Sequence, residues 1–97
     1  MRYDIILSPE AIDDLRGLKA NVRAVVRGAI ETYLRRAPTK TSKSRIKRLR
    51  GLSRPQFRLR VGEVRVYYDV IEDRVEVLAI IHKAEADAWL ARVGELE

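Results

Sequence analysis

Apolar and polar residues alternate most clearly between Gln56 and Lys83, where three strands are expected: QFRLRV, VRVYYDVI and RVEVLAIIHK. Side chains of a strand point alternately to its two faces. Gly62-Glu63 suits a two-residue type II′ hairpin loop, with glycine at its first position. Counting outward from that loop sets Val61 opposite Val64, Arg60 opposite Arg65, Leu59 opposite Val66, Arg58 opposite Tyr67 and Phe57 opposite Tyr68. One face then carries Phe57, Leu59, Val61, Val64, Val66 and Tyr68, a core face. The other carries Arg58, Arg60, Arg65 and Tyr67. The next joint, Ile71-Glu72-Asp73-Arg74, lacks Gly and Asn. A two-residue loop there sets Asp69 against Glu76, a like-charge pairing that costs stability. A three-residue loop avoids it, and the register stays open. Either choice brings Ile81–Lys83 near Glu63–Arg65, which predicts His82 and Lys83 beside the arginine face.

The N-terminal half reads as one strand and two helices. Arg2–Leu7 is apolar on both sides, as in an interior strand. Ser8-Pro9-Glu10 is a helix start: a capping hydroxyl, proline at the first helical position and an acid near the positive end of the dipole. That helix is expected to run to about Leu18. Asn21 is the expected cap of a second helix, in which Val22, Val25, Val26, Ala29, Ile30, Tyr33 and Leu34 recur at helical spacing. Pro38 stops it. The two helices are expected to form an αα-hairpin over the apolar sheet face. Ala84–Leu96 reads as a short final helix packing through Ala84, Ala88, Trp89, Leu90 and Ala91. The expected fold is α+β: a four-stranded, mainly antiparallel sheet, an N-terminal αα-hairpin on one face and a short C-terminal helix, in a single domain spanning 1–97.

Charge changes this picture more than composition does. From Thr32 to Gly62 there are 11 Lys or Arg and no Asp or Glu, while the rest of the chain has nine against 14. The basicity is one block in an otherwise acidic chain, the footprint of a polyanion binder. Seven of those 11 lie in Ala37–Pro55, which reads as a loop or arm with Ile46, Leu49 and Leu52 as its anchors. Long loops tend to be functional or mobile. Lys43, Arg45, Lys47, Arg48, Arg50 and Arg54 are its candidate RNA contacts, with Tyr67 and Trp89 as candidate contacts outside it. Trp89 equally reads as a helix-packing residue.

The chain has no cysteine and one histidine, which excludes a disulfide framework and a thiolate metal site. No metal ligand set and no cofactor is expected. No apolar run reaches the roughly 18 residues of a membrane span, and the N-terminus lacks a signal-peptide core. A soluble cytoplasmic protein is expected, without a membrane partner. No Ser-His-Asp or Cys-His arrangement and no glycine-rich phosphate loop is present. What remains is a cationic site. Guanidiniums can hold a phosphodiester and stabilise the charge that develops on it. RNA supplies its own nucleophile, the 2′-hydroxyl, so the protein needs alignment, charge and one proton-transfer group. Arginine does not give up its proton. Histidine is the side-chain type suited to proton transfer near neutral pH, which makes His82 a candidate; Lys83, Tyr67 and Tyr68 are the others, with Tyr68 assigned to the core.

Leu49-Arg50-Gly51-Leu52, Phe57-Arg58-Leu59-Arg60-Val61-Gly62, Val64-Arg65-Val66-Tyr67-Tyr68 and Ile81-His82-Lys83, in the order strand, two helices, basic connector, ribbon, resemble the RelE/ParE toxin superfamily of bacterial toxin–antitoxin pairs. The resemblance covers nearly the whole chain, and the RelE-like branch is favoured. It implies a small α/β toxin neutralised by a cognate antitoxin. RelE-like members cut mRNA in the ribosomal A site by 2′-hydroxyl attack without a metal; ParE-like members inhibit DNA gyrase. On the RelE pattern, Arg58 and Arg60 match a basic pair, Arg65 the arginine of the next strand and Lys83 a basic residue closing the last strand, after a histidine like His82. These five are the candidate catalytic residues. RelE has lysines where this chain has Arg58 and Arg60, and its C-terminal tyrosine aligns near Trp89. Both departures move proton transfer toward His82 or Lys83, or toward a weak or absent nuclease. The expected activity is a ribosome-dependent mRNA endoribonuclease. A gyrase-inhibiting toxin is the alternative, and a plain nucleic-acid-binding module is a third reading.

Overall fold

The computed structural model describes all residues, 1–97. In chain order the elements are β1 (Asp4–Leu7), α1 (Pro9–Arg16), α2 (Ala20–Ala29) continuing as a π-helical turn (Ile30–Leu34), β2 (Ile46–Arg48), β3 (Leu52–Arg54), β4 (Phe57–Val61), β5 (Val64–Ile71), β6 (Arg74–His82), α3 (Lys83–Val93) and β7 (Glu95–Leu96). The main sheet has the order β1-β6-β5-β4-β2, and β3 and β7 form a separate two-stranded ribbon. Only β1 runs parallel to its neighbour.

The α+β architecture is the expected one, with two differences in the sheet. The basic segment expected to be a loop supplies a fifth strand, β2, whose Ile46 pairs with Leu59 and is buried. β1 is an edge strand and not an interior one: Ile5 and Leu7 pack on the core while Ile6 points outward, 49 % exposed. Apolar residues on both sides of a four-residue strand therefore misled, because nothing covers its outer face.

The helix start forms as its residues dictate. Ser8 Oγ accepts from Ala11 N at 3.1 Å and donates to the Leu78 carbonyl at 3.0 Å. Leu78 is the unpaired residue of a bulge, since Tyr67 pairs with Ala79 but Tyr68 with Val77. Asp14 Oδ2 accepts from Ile80 N at 3.0 Å just beyond it. Ser8 and Asp14 thus take up polar groups of β6 just beyond the point where its pairing with β1 ends. The second helix starts two residues earlier than expected, with Lys19 and not Asn21 at its cap, and no side chain bonds there.

Ala11, Leu15, Val26, Ile30 and Leu34 of the helical hairpin pack on Leu59, Val61, Val64, Val66, Tyr68, Val75, Val77 and Ile80. Each such aliphatic side chain removed from water contributes about 1.5–3 kcal/mol, which pins the hairpin to this face. Tyr68 is fully buried, and its hydroxyl donates to the Pro38 carbonyl at 2.6 Å. That bond satisfies the one polar atom the ring carries into the core. Burial raises the Tyr68 pKa, and its place on the core face keeps the hydroxyl away from the arginines.

Candidate nucleic-acid interface

The β4–β5 ribbon has the register counted from its turn: Arg60 faces Arg65, Arg58 faces Tyr67, and Gly62 in the turn has φ +57°. A positive φ is readily adopted by glycine because it has no Cβ. Arg58, Arg60, Arg65 and Tyr67 consequently share the sheet face opposite the helical hairpin. β2 extends that face by one strand, with Lys47 directly across from Arg58. None of these four cations makes an ion pair with a carboxylate. Arg65 folds back on its own turn, its Nη1 donating to the carbonyls of Gly62 at 2.7 Å and Val64 at 3.1 Å. Burial, then the charges of Arg58 and Arg60, hold its pKa below the ordinary arginine value. Arg58 Nε is buried with no hydrogen-bond partner. An unpaired donor of this kind costs about 1–3 kcal/mol.

α3 lies across part of the same face. Trp89 stacks on Tyr67 with ring centroids 5.0 Å apart and planes 27° off parallel, leaving Tyr67 only 2 % exposed. Burial pushes the Tyr67 hydroxyl pKa up; Arg58 and Arg65 oppose the rise, and Asp87 of α3 adds to it. Asp87 escaped the sequence reading, because nothing in its local pattern distinguishes it from other exposed helical acids.

His82 does not stand among the arginines. It pairs with Val64, a core-face residue, and Ile81 is the residue opposite Arg65. With the bulge counted, alternation turns His82 toward α2, where it lines a cleft with Asn21, Val22, Val25 and Val61. The bulge at Leu78 shifts parity by one, and no residue type announced it. Lys83 sits at the end of the ribbon as expected, its amide bonded to the Glu63 carbonyl and its Nζ 2.9 Å from Glu63 Oε2. That pairing lowers the Glu63 pKa.

The basic segment divides into anchored and free cations. Arg48 lies 5.4 Å over the Phe57 ring, donates to the carbonyls of Leu49 and Gln56 and is 4.0 Å from Glu97. Arg54 is 3.3 Å from the buried Asp69 carboxylate. Arg45 stacks 4.8 Å over Tyr33. Lys43, Lys47 and Arg50 are exposed and engage no carboxylate. Nowhere do three His, Cys, Asp or Glu side chains converge in a way that could hold a metal.

The fold has solved counterparts. The chain is similar to the toxin–antitoxin complex RelBE2 from Mycobacterium tuberculosis (TM-score 0.67, 25% identity, covering 84% of this chain and 99% of that one). It is similar to a free RelE mutant from Escherichia coli (TM-score 0.70, 20% identity, 96% and 99% covered). It is also similar to the RelB–RelE complex from Methanococcus jannaschii (TM-score 0.68, 19% identity, 87% and 96% covered). Among curated protein sequences none matches the chain significantly. The model describing the ParE toxin of the parDE type II toxin–antitoxin system matches residues 5–87, from β1 into α3. The chain therefore belongs to the ParE toxin family, within the RelE/ParE superfamily whose fold it shares.

Proposed function

We propose that the protein is the toxin of a type II toxin–antitoxin pair and that its arginine face grips the sugar-phosphate backbone of mRNA in the cytoplasm, promoting strand cleavage by the RNA's own 2′-hydroxyl on the ribosome. The observation that carries this is one sheet face holding Lys47, Arg58, Arg60 and Arg65 with no carboxylate partner, one of them with a buried, unpartnered donor. Like charges placed opposite each other lower stability, and a phosphodiester relieves that repulsion. As the 2′-oxygen attacks, negative charge grows on the phosphoryl oxygens; removing one fixed donor from such a site costs about 2.7–4 kcal/mol in the transition state. Lys83 is the proton-transfer candidate left at this end of the sheet, because His82 faces α2 and the Tyr67 ring lies under Trp89, where burial raises its pKa. The solved relatives that are toxin–antitoxin complexes support a cognate antitoxin as the neutralising partner.

A second reading is a non-catalytic toxin that binds DNA gyrase. The match to the ParE model favours it, as does the placement of His82 away from the arginines. Primer extension on mRNA from cells inducing the protein separates the two. Codon-positioned 5′ ends establish cleavage. An SOS response with intact mRNA overturns the nuclease and leaves the gyrase reading.

A further inference from the structure

The π-helical turn and the loop that leads into β2 enclose a cleft of about 300 Å³, walled by Thr32, Tyr33, Lys40, Thr41, Ser42 and Arg45. Ser42 Oγ accepts from Arg45 N at 3.0 Å and from Ile46 N at 3.4 Å. A hydroxyl has two lone pairs and one proton. With both lone pairs engaged by backbone N–H groups, its proton is the part left to donate to a ligand. Arg45 is fixed beside it, stacked 4.8 Å over Tyr33 with Nη1 donating to the Arg60 carbonyl at 3.3 Å. A guanidinium already held in place loses little freedom when it binds an anion. Lys40 is exposed on the same wall and makes no ion pair. The carboxylate adjoining the wall in sequence, Glu31, is engaged by Arg35 at 2.6 Å.

The cleft adjoins the arginine face through the backbone, since Arg60 N donates to the Arg45 carbonyl at 2.8 Å. We propose that it is a second phosphate subsite, which takes a backbone phosphate of the same RNA strand several nucleotides from the one on the arginine face. The inference rests on the RNA reading of that face and adds a path: the strand leaves β4 and β5, passes the β2 edge and ends between Lys40, Ser42 and Arg45.

The test is fluorescence anisotropy with labelled 2′-O-methyl RNAs, which cannot be cut, as a trinucleotide and a nonanucleotide. Lys40→Ala and Ser42→Ala are expected to weaken the nonanucleotide by about three- to tenfold, the loss of one solvent-exposed polar contact. They leave the trinucleotide unchanged. Lys40→Ala also flattens the salt dependence, by about 0.7 in the slope of log K against log salt. Because Ser42 also holds the loop, Ser42→Thr, which keeps the hydroxyl, is expected to retain wild-type affinity. Unchanged nonanucleotide binding in Lys40→Ala and Ser42→Ala overturns the subsite, and so does an equal loss for both RNAs. Arg65→Ala distinguishes the two levels. If it loses both RNAs while Lys40→Ala loses neither, only the subsite fails. If it binds both like the wild type, the RNA reading of the arginine face fails first.

Discussion

Asp69 stands directly across from Glu76 between β5 and β6, two carboxylates at one cross-strand position. Each has its own cation: Arg54 Nε lies 3.3 Å from Asp69 Oδ2, and Arg74 Nε lies 2.9 Å from Glu76 Oε2. Gln56 N also donates to Asp69 Oδ1 at 2.8 Å. The two-residue turn that creates the clash is therefore tolerated, with Glu72 in the left-handed region at φ +56°.

This pair makes stability depend on pH. Burial is the largest influence on Asp69 and raises its pKa, with Glu76 and Glu95 adding to the rise against Gln56 and Arg54. A carboxyl whose folded pKa exceeds its unfolded value holds its proton more tightly when folded. The stability it contributes is complete below the ordinary aspartate value of about 3.9 and is lost as pH rises through the folded value. Asp69→Asn removes that titration while keeping an acceptor for Gln56. Urea unfolding between about pH 4 and 7 should show the wild type losing stability relative to the variant as pH rises. A pH-independent difference would contradict the burial argument.

Arg60 and Arg65 separate function from fold. Arg60 is exposed and its side chain makes no ion pair, so Arg60→Ala should change stability by no more than about 0.5 kcal/mol. Arg65→Ala loses two bonds to turn carbonyls, worth about 1 kcal/mol in all at a half-exposed site. Both variants should remain folded by circular dichroism, and Arg65→Ala should lose growth arrest on induction. A fully toxic Arg65→Ala protein refutes the site.

Trp89 is the cover over Tyr67. Trp89→Ala should destabilise the protein by about 1–3 kcal/mol, through the lost stacking and the apolar area exposed. Since burial is the main reason the Tyr67 pKa is high, the same variant should bring one tyrosine titration back toward its ordinary value. Ultraviolet difference titration of phenolate formation reads this directly. No shift would mean that Trp89 is not what keeps the ring from water.

His82 gives the sharpest contrast with the arginines. Its pairing with Val64 turns it toward α2, so His82→Ala should keep growth arrest and any cleavage. If the toxin cuts RNA, the pH profile of the variant through the histidine range should match the wild type. A loss of about 100-fold or more, typical of a missing acid or base, would show that His82 reaches the reacting atoms.

Much of this molecule is legible one residue at a time. The register of β4 and β5 follows from a two-residue loop with glycine first, because a short turn leaves only one way to pair what flanks it. The shared face of Arg58, Arg60 and Arg65 follows from strand alternation, and the start of α1 from the Ser8-Pro9-Glu10 order. These are local properties, decided by dihedral preferences and a fixed period. Three features needed the folded chain. The bulge at Leu78 turns His82 to the other face, and what supports it is Ser8 and Asp14, some 65 to 70 residues away in sequence. The basic segment becomes β2 because β4 offers an open edge to it, which its lysines and arginines do not announce. Asp69 can face Glu76 because Arg54 and Arg74 reach them. Each is a contact between distant segments, and such contacts depend on how the elements pack in space, not on the residues beside them in the chain.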